Sequence, residues 1–462
     1  MPHPSPSPLW YPCTQMQQLE QYPPLEIVRG QGAYLYTAHG QPILDAISSW
    51  WVNLHGHCHP QINAALHQQL DQLEHVMLAG FTHPPIEQLA RRLIALMPAP
   101  LSRIFFADSG SAAIEVALKM SLQYWQQQDG QQPDGKGNAQ PQRNTFISLK
   151  NGYHGETLGS LAVTDIPLFS KQYRPLLIQH LRAPSPDLSL KQPEQTDAEH
   201  VAYCLTAMQQ LLEQHQQQVC AVIVEPLVQG AAGMKMYPAS YLIGLRQLCD
   251  QYNVHLIHDE IAVGFGRTGT MFAFEQASIT PDFVCLSKGL TAGYLPMSAV
   301  VTTEKIYQAF YHVDVARGFL HSHSFTGNPL AACAALASLD IFSQQDTLKS
   351  NQAKIQALAE ALSRLDGHPH IRRIRQTGTI GAFDLVHSNG QPYPAAEGRA
   401  RLISQYALKH GVLLRPIGAH VYVIPPYCIT TEEIANVIDV ARRAVEWAVQ
   451  QPALTLSQVN MA

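Results

Sequence analysis

The chain has 462 residues, more than one ordinary hydrophobic core encloses, so two or three domains are expected. Apolar residues make up 46% and charged residues 14%, the formal net charge is −5, and no basic cluster of the kind a phosphate backbone requires is present, which argues against nucleic-acid binding. No apolar run approaches a membrane span, the start MPHPSPSPLWYPC lacks the charged and apolar regions of a secretory leader, and the eight cysteines include no CxxC pair. A cytoplasmic protein with reduced thiols is the expectation.

In chain order, Pro2 to Pro12 reads as an irregular arm. INAALHQQLDQLEHVM sets Ile62, Leu66, Leu70, Leu73 and Met77 at helical spacing. The Gln/Gly/Pro-rich stretch 126–144 reads as an exposed loop, and a second polar stretch spans about 184–200. Five short apolar runs occupy the middle, each followed at once by small, polar or ionisable residues. RIFFA leads into DSGSAAIEVALKM, TFISL into KNGYHGE, CAVIV into EPLVQG, VHLI into HDE, and DFVCL into SKGL. Helix-like segments lie between several of them, which predicts a mostly parallel sheet flanked by helices, an α/β fold. In such a sheet the carboxyl ends of the strands line one crevice, so the five clusters converge on one site. From 351 onward NQAKIQALAEALSRL begins a helical region, and GVLLRPIGAHVYVIPP reads as strand–turn–strand. That end predicts a smaller α+β domain. No internal repeat is found.

The adjacent acids Asp259 and Glu260 close the run VHLIH, and three roles fit them: Mg²⁺ beside a nucleotide, a cationic cofactor atom, or capping and ion pairing alone. A nucleotide site needs GxxxxGK[ST]; the one Gly-Lys pair, Gly135-Lys136, is followed by Gly137, and GFGRTG departs from GxGxxG. HGHCHP could turn His55, His57 and His59 to one face of a strand, as zinc ligands. However, HExxH is absent and the cluster opens a helix after a turn, so no metal is expected. Lys288, just past an apolar strand, is half-desolvated, which suits a Schiff-base nucleophile. Gly110 and Ser111 open a helix, whose free N–H groups and dipole favour a phosphate. Tyr153 can stack on a flat ring, and Asp259 can face a protonated ring nitrogen. These are the parts that pyridoxal 5'-phosphate requires.

With those residues, the chain resembles the class III aminotransferases of the fold-type I pyridoxal-phosphate family. DSGSAAIEVALKM, NGYHGETLGS, EPLVQGAAGM, HDEIAVGFGRTG, LSKGL and SFTGNPLA carry the resemblance in order, from about residue 10 to 450. SSWWVNLHGH, HVMLAGFTH and VLLRPIG resemble the branch that aminates 8-amino-7-oxononanoate in biotin synthesis. The resemblance implies a large cofactor domain (61–340) and a small domain built from both termini (1–60 with the arm, and 341–462). It implies that Lys288 binds the cofactor and moves protons, and that Asp259 holds the ring nitrogen. Gly110 and Ser111 would hold the phosphate, Tyr153 would stack near the ring and touch substrate, and Gln229 would approach the ring hydroxyl with Glu225 nearby. His323 and Ser324 would reach the phosphate of the other subunit in a homodimer. Trp50, Ser322 and Arg415 would contact the oxononanoate, Arg415 at its carboxylate. Arg267 would either touch substrate or pair structurally, with Glu156 a candidate partner. The chain departs from the branch at Cys13, where a Tyr is usual; Tyr11 or Tyr22 could fill in. This leaves S-adenosylmethionine, the usual donor, and lysine both open. Another class III omega-aminotransferase is the alternative enzyme, and a non-catalytic binding protein of the same fold the alternative class.

Overall fold

All five apolar runs become strands of one seven-stranded sheet. The computed structural model describes residues 7–129 and 143–454; Pro2–Pro6 and most of the Gln-rich stretch lie outside the described residues. Numbering the strands of this sheet alone, they are β1 (Leu101–Ala107), β2 (Thr145–Leu149), β3 (Leu181–Ala183), β4 (Val219–Val224), β5 (His255–Asp259), β6 (Phe283–Leu286) and β7 (Ser298–Thr303). Their order across the sheet is β1-β7-β6-β5-β4-β2-β3. β7 runs antiparallel to both β6 and β1, and the remaining neighbours are parallel. The carboxyl ends of β1 to β6 therefore share one edge.

Burial on both faces explains the strand sequences. Every residue of β4 is buried, and from Ala221 to Val224 successive residues alternate between two cores. Val222 and Val224 pack with Met208, Leu212 and Leu245 of the helices Asp197–His215 and Ala239–Gln251. Ala221 and Ile223 pack with Ile114 and Ala117 of the helix Gly110–Asp129. A strand covered by helices on both sides reads as a continuous apolar run rather than an alternation. β7 has the same character, but it runs antiparallel to both neighbours, so the polar residues that follow it, Glu304 and Lys305, lie at the other end of the sheet.

A second core joins the two ends of the chain. Ala33, Leu44 and Ala46 pack with Leu358, Phe383, Val437 and Val445. The strands Ile27–Gln31, Tyr34–Thr37 and Pro42–Asp45 form one sheet with Val412–Leu413, which pairs parallel to Pro42–Asp45. Ile371–Thr377, Ile380–Leu385 and His420–Val423 form an antiparallel sheet.

One expectation holds and one is corrected here. GVLLRPIGAHVYVIPP forms the expected strand, turn and strand, with Val412–Leu413 and His420–Val423 in different sheets. The first long helix covers Pro60–Leu70 and stops short of Met77. Gln69 donates its amide to Leu73 O at 2.8 Å, which folds the chain back beyond Leu70. Among the described residues no helix is long and apolar enough to cross a membrane.

Candidate active site

The strand ends enclose a cavity of about 200 Å³, and the residues after β1, β2, β4, β5 and β6 all reach it. Its wall includes Ser111, Tyr153, Glu225, Asp259 and Lys288, with Trp51 from the N-terminal segment.

The paired acids at the end of β5 separate by strand alternation. Asp259 faces the cavity; its Oδ2 accepts from His154 Nδ1 at 2.8 Å and its Oδ1 from Ile261 N at 3.1 Å. Glu260 turns away and accepts from Ala273 N at 2.9 Å and Phe274 N at 3.0 Å, which makes it a structural anchor. Lys288 lies across from Asp259. Burial lowers its ammonium pKa, while the Asp259 and Glu225 carboxylates work against that shift. Its Nζ stands 5.3 Å from the Trp51 ring centroid. Glu225 is buried and accepts from Tyr153 N at 2.8 Å and Gly230 N at 2.9 Å. Burial, helped by the charge of Asp259, pushes its carboxyl up to about 8.

The opposite end of the cavity is an anion cradle. The helix Gly110–Asp129 starts at the cavity wall, so the N–H groups of its first turn and its dipole face inward. Ser109 Oγ accepts from Ala112 N at 3.2 Å, and Ser111 Oγ accepts from Glu156 N at 3.0 Å. Gly155 makes this approach possible: its φ is +122°, and a Cβ there would stand 2.3 Å from Ser111 Oγ. An anion cradle, an amine and a carboxylate thus surround one cavity, and the buried His154 Nε2 has no partner. This donor set fits pyridoxal phosphate: Ser111 and the helix start for the phosphate, Lys288 for the aldehyde carbon, Asp259 for the ring nitrogen.

At the mouth, Arg415 lies over the Trp50 ring, 4.1 Å from Cζ to centroid. Tyr153 donates to Glu156 Oε1 at 2.9 Å, and burial and the Glu156 charge raise its phenol pKa. Cys13 belongs to this neighbourhood: burial and Glu156 raise its thiol pKa, and Arg415 opposes them.

The model of the family described as aminotransferase class-III matches residues 16–445. The chain belongs to the class III aminotransferases. The aminotransferase is 40% identical over 441 residues to an adenosylmethionine-8-amino-7-oxononanoate aminotransferase from Geobacter sulfurreducens, with 95% of each chain covered. It is 42% identical to the Helicobacter pylori protein of that name, over 93% of this chain and 94% of the other. The crystal structure of the like-named Methanocaldococcus jannaschii protein superposes with a TM-score of 0.87 at 34% identity, covering 95% and 97%. An amine transaminase from an uncultivated Pseudomonas species, in its PLP-bound form, gives 0.88 at 31% identity, covering 96% and 99%. Backbone shape is therefore common to the class, and substrate choice rests on side chains.

Not every residue singled out in the sequence of this aminotransferase reaches the cavity. Gln229 stands behind the wall: its amide donates to Lys150 O at 2.9 Å and accepts from Ser185 Oγ at 2.6 Å. Glu225 takes the cavity face instead. Ser322, His323 and Ser324 are exposed outside this chain's cavity, and His323 Nδ1 bonds Asp108 Oδ2 at 2.9 Å. Arg267 is fully buried away from Glu156 and donates to Pro425 O at 2.6 Å, Ser48 Oγ at 2.9 Å and Asn53 O at 3.3 Å. The histidines of HGHCHP go to separate partners: His55 to Ser338 Oγ at 3.0 Å and His57 to Asp45 Oδ2 at 3.0 Å. Tyr22 lies under Arg401, 4.7 Å from Cζ to ring centroid. The sequence gave no role to His154, although it sits beside Tyr153 in a strand-end cluster; of the two tryptophans Trp51 lines the cavity and Trp50 stands over Arg415. A polar residue within such a cluster was the available signal for His154.

Proposed function

We propose that this aminotransferase moves an amino group from S-adenosylmethionine to 8-amino-7-oxononanoate, giving 7,8-diaminononanoate for biotin synthesis, with pyridoxal phosphate as cofactor. The observation that carries the choice of acceptor is the Trp50–Arg415 stack at the mouth. An indole gives an apolar wall for a long aliphatic chain, and a guanidinium fork fixes a terminal carboxylate. The same aromatic wall attracts the sulfonium of the donor by cation–π contact. Relatives that bear this activity in their name, at 40–42% identity over nearly the whole chain, support the reading.

Bound pyridoxal phosphate supplies the electron sink that lets the amino-bearing carbon give up a proton. Asp259 would hold the protonated ring nitrogen, and His154 fixes the Asp259 carboxylate from behind. Lys288 Nζ takes the proton from substrate and returns it; burial, which disfavours its ammonium, leaves the amine free to accept. The Ser111 cradle would hold the cofactor by its phosphate. Ser322, His323 and Ser324 lie exposed beside Leu320 and Phe325, also exposed, and we assign this face to a homodimer in which each copy completes the other's site. Residues 61–340 form the cofactor domain, 1–60 and 341–462 form the small domain, and the enzyme works in the cytoplasm.

The deciding experiment follows the visible absorbance of the cofactor-loaded enzyme as S-adenosylmethionine, or lysine in a separate sample, is added without acceptor. A response to S-adenosylmethionine, followed by amination of the oxononanoate, is the expected result. A response to lysine alone would replace the donor. Failure to aminate the oxononanoate with either would transfer the enzyme to another branch of the class.

A further inference from the structure

The segment Ser48–Trp51 carries four successive non-glycine residues in left-handed conformation, with φ of +50°, +46°, +85° and +71°. Side chains disfavour this region, and a run of four does not hold itself. Yet its conformation aims both indoles: Trp50 over Arg415, and Trp51 into the cavity with its Nε1 donating to Tyr422 OH at 3.1 Å. The surrounding structure must impose it.

Asp45 restrains the segment at Ser49. It is wholly buried, three residues before the segment, and does not reach the cavity. Its Oδ1 accepts from Ile47 N at 3.3 Å and Ser49 N at 3.0 Å. Its Oδ2 accepts from Ser49 Oγ at 2.6 Å and His57 Nε2 at 3.0 Å. His57 is itself pinned by paired backbone bonds with Gly32, 2.7 and 3.1 Å long. From the other side Ser48 Oγ donates to Ile424 O at 2.7 Å and accepts from Arg267 at 2.9 Å.

We propose that Asp45, clamped by His57 and acting through Ser49, is a positioning residue that holds the tryptophan wall of the acceptor site in its strained, substrate-ready shape. The inference rests on the reading of Trp50 and Arg415 as acceptor contacts. Asp45 touches neither substrate nor cofactor; it sets where the wall stands. A carboxylate is required because all four of its partners are donors, and an amide would turn its NH₂ toward one pair of them.

The test compares Asp45→Asn, Ser49→Ala, His57→Leu and His57→Gln as holoenzymes, with the oxononanoate and the donor varied separately. A displaced wall weakens ground-state binding more than chemistry, so Asp45→Asn is expected to raise KM for the oxononanoate by at least about tenfold, with kcat within about threefold and the cofactor spectrum unchanged. His57→Gln, which keeps a donor toward Asp45, is expected to stay closer to wild type than His57→Leu. Ser49→Ala removes one side-chain bond and carries the test if Asp45→Asn does not fold. Iodide quenching of Trp50, taken as the difference from the same variants carrying Trp50→Phe, gives a readout independent of substrate. Quenching should increase in Asp45→Asn and in Ser49→Ala. If the wild-type enzyme does not aminate the oxononanoate, the functional reading fails and quenching alone decides the positioning role. An unchanged KM together with unchanged quenching in the folded variants would overturn it.

Discussion

Gly155→Ala tests whether the backbone approach at Gly155 builds the phosphate cradle. The new Cβ would sit 2.3 Å from Ser111 Oγ and 2.8 Å from Ser160 Oγ. Ordinary contact begins near 3.4 Å, so Ser111 Oγ must withdraw by about 1 Å or the backbone must move by as much. Either displacement costs the cradle roughly one charge-assisted hydrogen bond to phosphate, about 1.5–3 kcal/mol. At about 1.4 kcal/mol per decade, the cofactor Kd should rise by roughly 10- to 150-fold. The φ of +122° adds a second cost, because an alanine there is strained by roughly 1–3 kcal/mol whatever the space. That strain falls on the cofactor-free fold as well, so it should appear as a loss in urea unfolding without cofactor. The assay is an absorbance titration of the cofactor-free enzyme with pyridoxal phosphate, run beside that unfolding curve. Lower fold stability with an unchanged cofactor Kd would refute the argument, since the glycine would then serve the chain and not the phosphate.

Lys288→Ala is expected to abolish multiple turnover while cofactor still binds through the cradle and Asp259; retained turnover, followed as product against time, would remove Lys288 from the mechanism. Asp259→Asn leaves the ring nitrogen without its anion and should lower kcat by at least about a hundredfold, measured under saturating substrates. His258 is fully buried with both ring nitrogens unpartnered, and burial holds its pKa to about 3 against an ordinary 6.5. As pH falls below 6.5 the unfolded chain takes up a proton that the folded chain refuses, so this group withdraws stability on acidification. Between pH 7 and 5 the wild type should lose about 2 kcal/mol more than His258→Leu in urea unfolding; parallel losses would refute it.

The strand ends could be read because their information is local. A run such as CAVIV is apolar throughout since helices cover both faces of β4, and the polar residues after it lie where the covering stops. The clusters after five runs therefore marked Ser111, Tyr153, Glu225, Asp259 and Lys288 as one site before any contact was known. The sequence pointed to Asp259 for the cavity but gave Glu260 no role; its bonds to Ala273 N and Phe274 N join segments that only the folded sheet brings together. The direction of β7 was not legible: it is buried like its neighbours and followed by Glu304 and Lys305, and only its antiparallel pairing takes that end away from the crevice.

By itself, then, the sequence determined the mostly parallel α/β architecture, the converging strand ends and the Lys288–Asp259 pair, all set by periodicity and by the polar residues that close each run. Tertiary structure alone decided which partners meet across long separations. It split Val412–Leu413 from His420–Val423 into different sheets, gave His154 to Asp259, and set Glu225 at the cavity in place of Gln229. It also imposed the left-handed Ser48–Trp51 turn. No propensity favours four such residues in succession; the turn exists because Asp45 and His57 on one side, and Ile424 and Arg267 on the other, hold it from segments that only folding brings together.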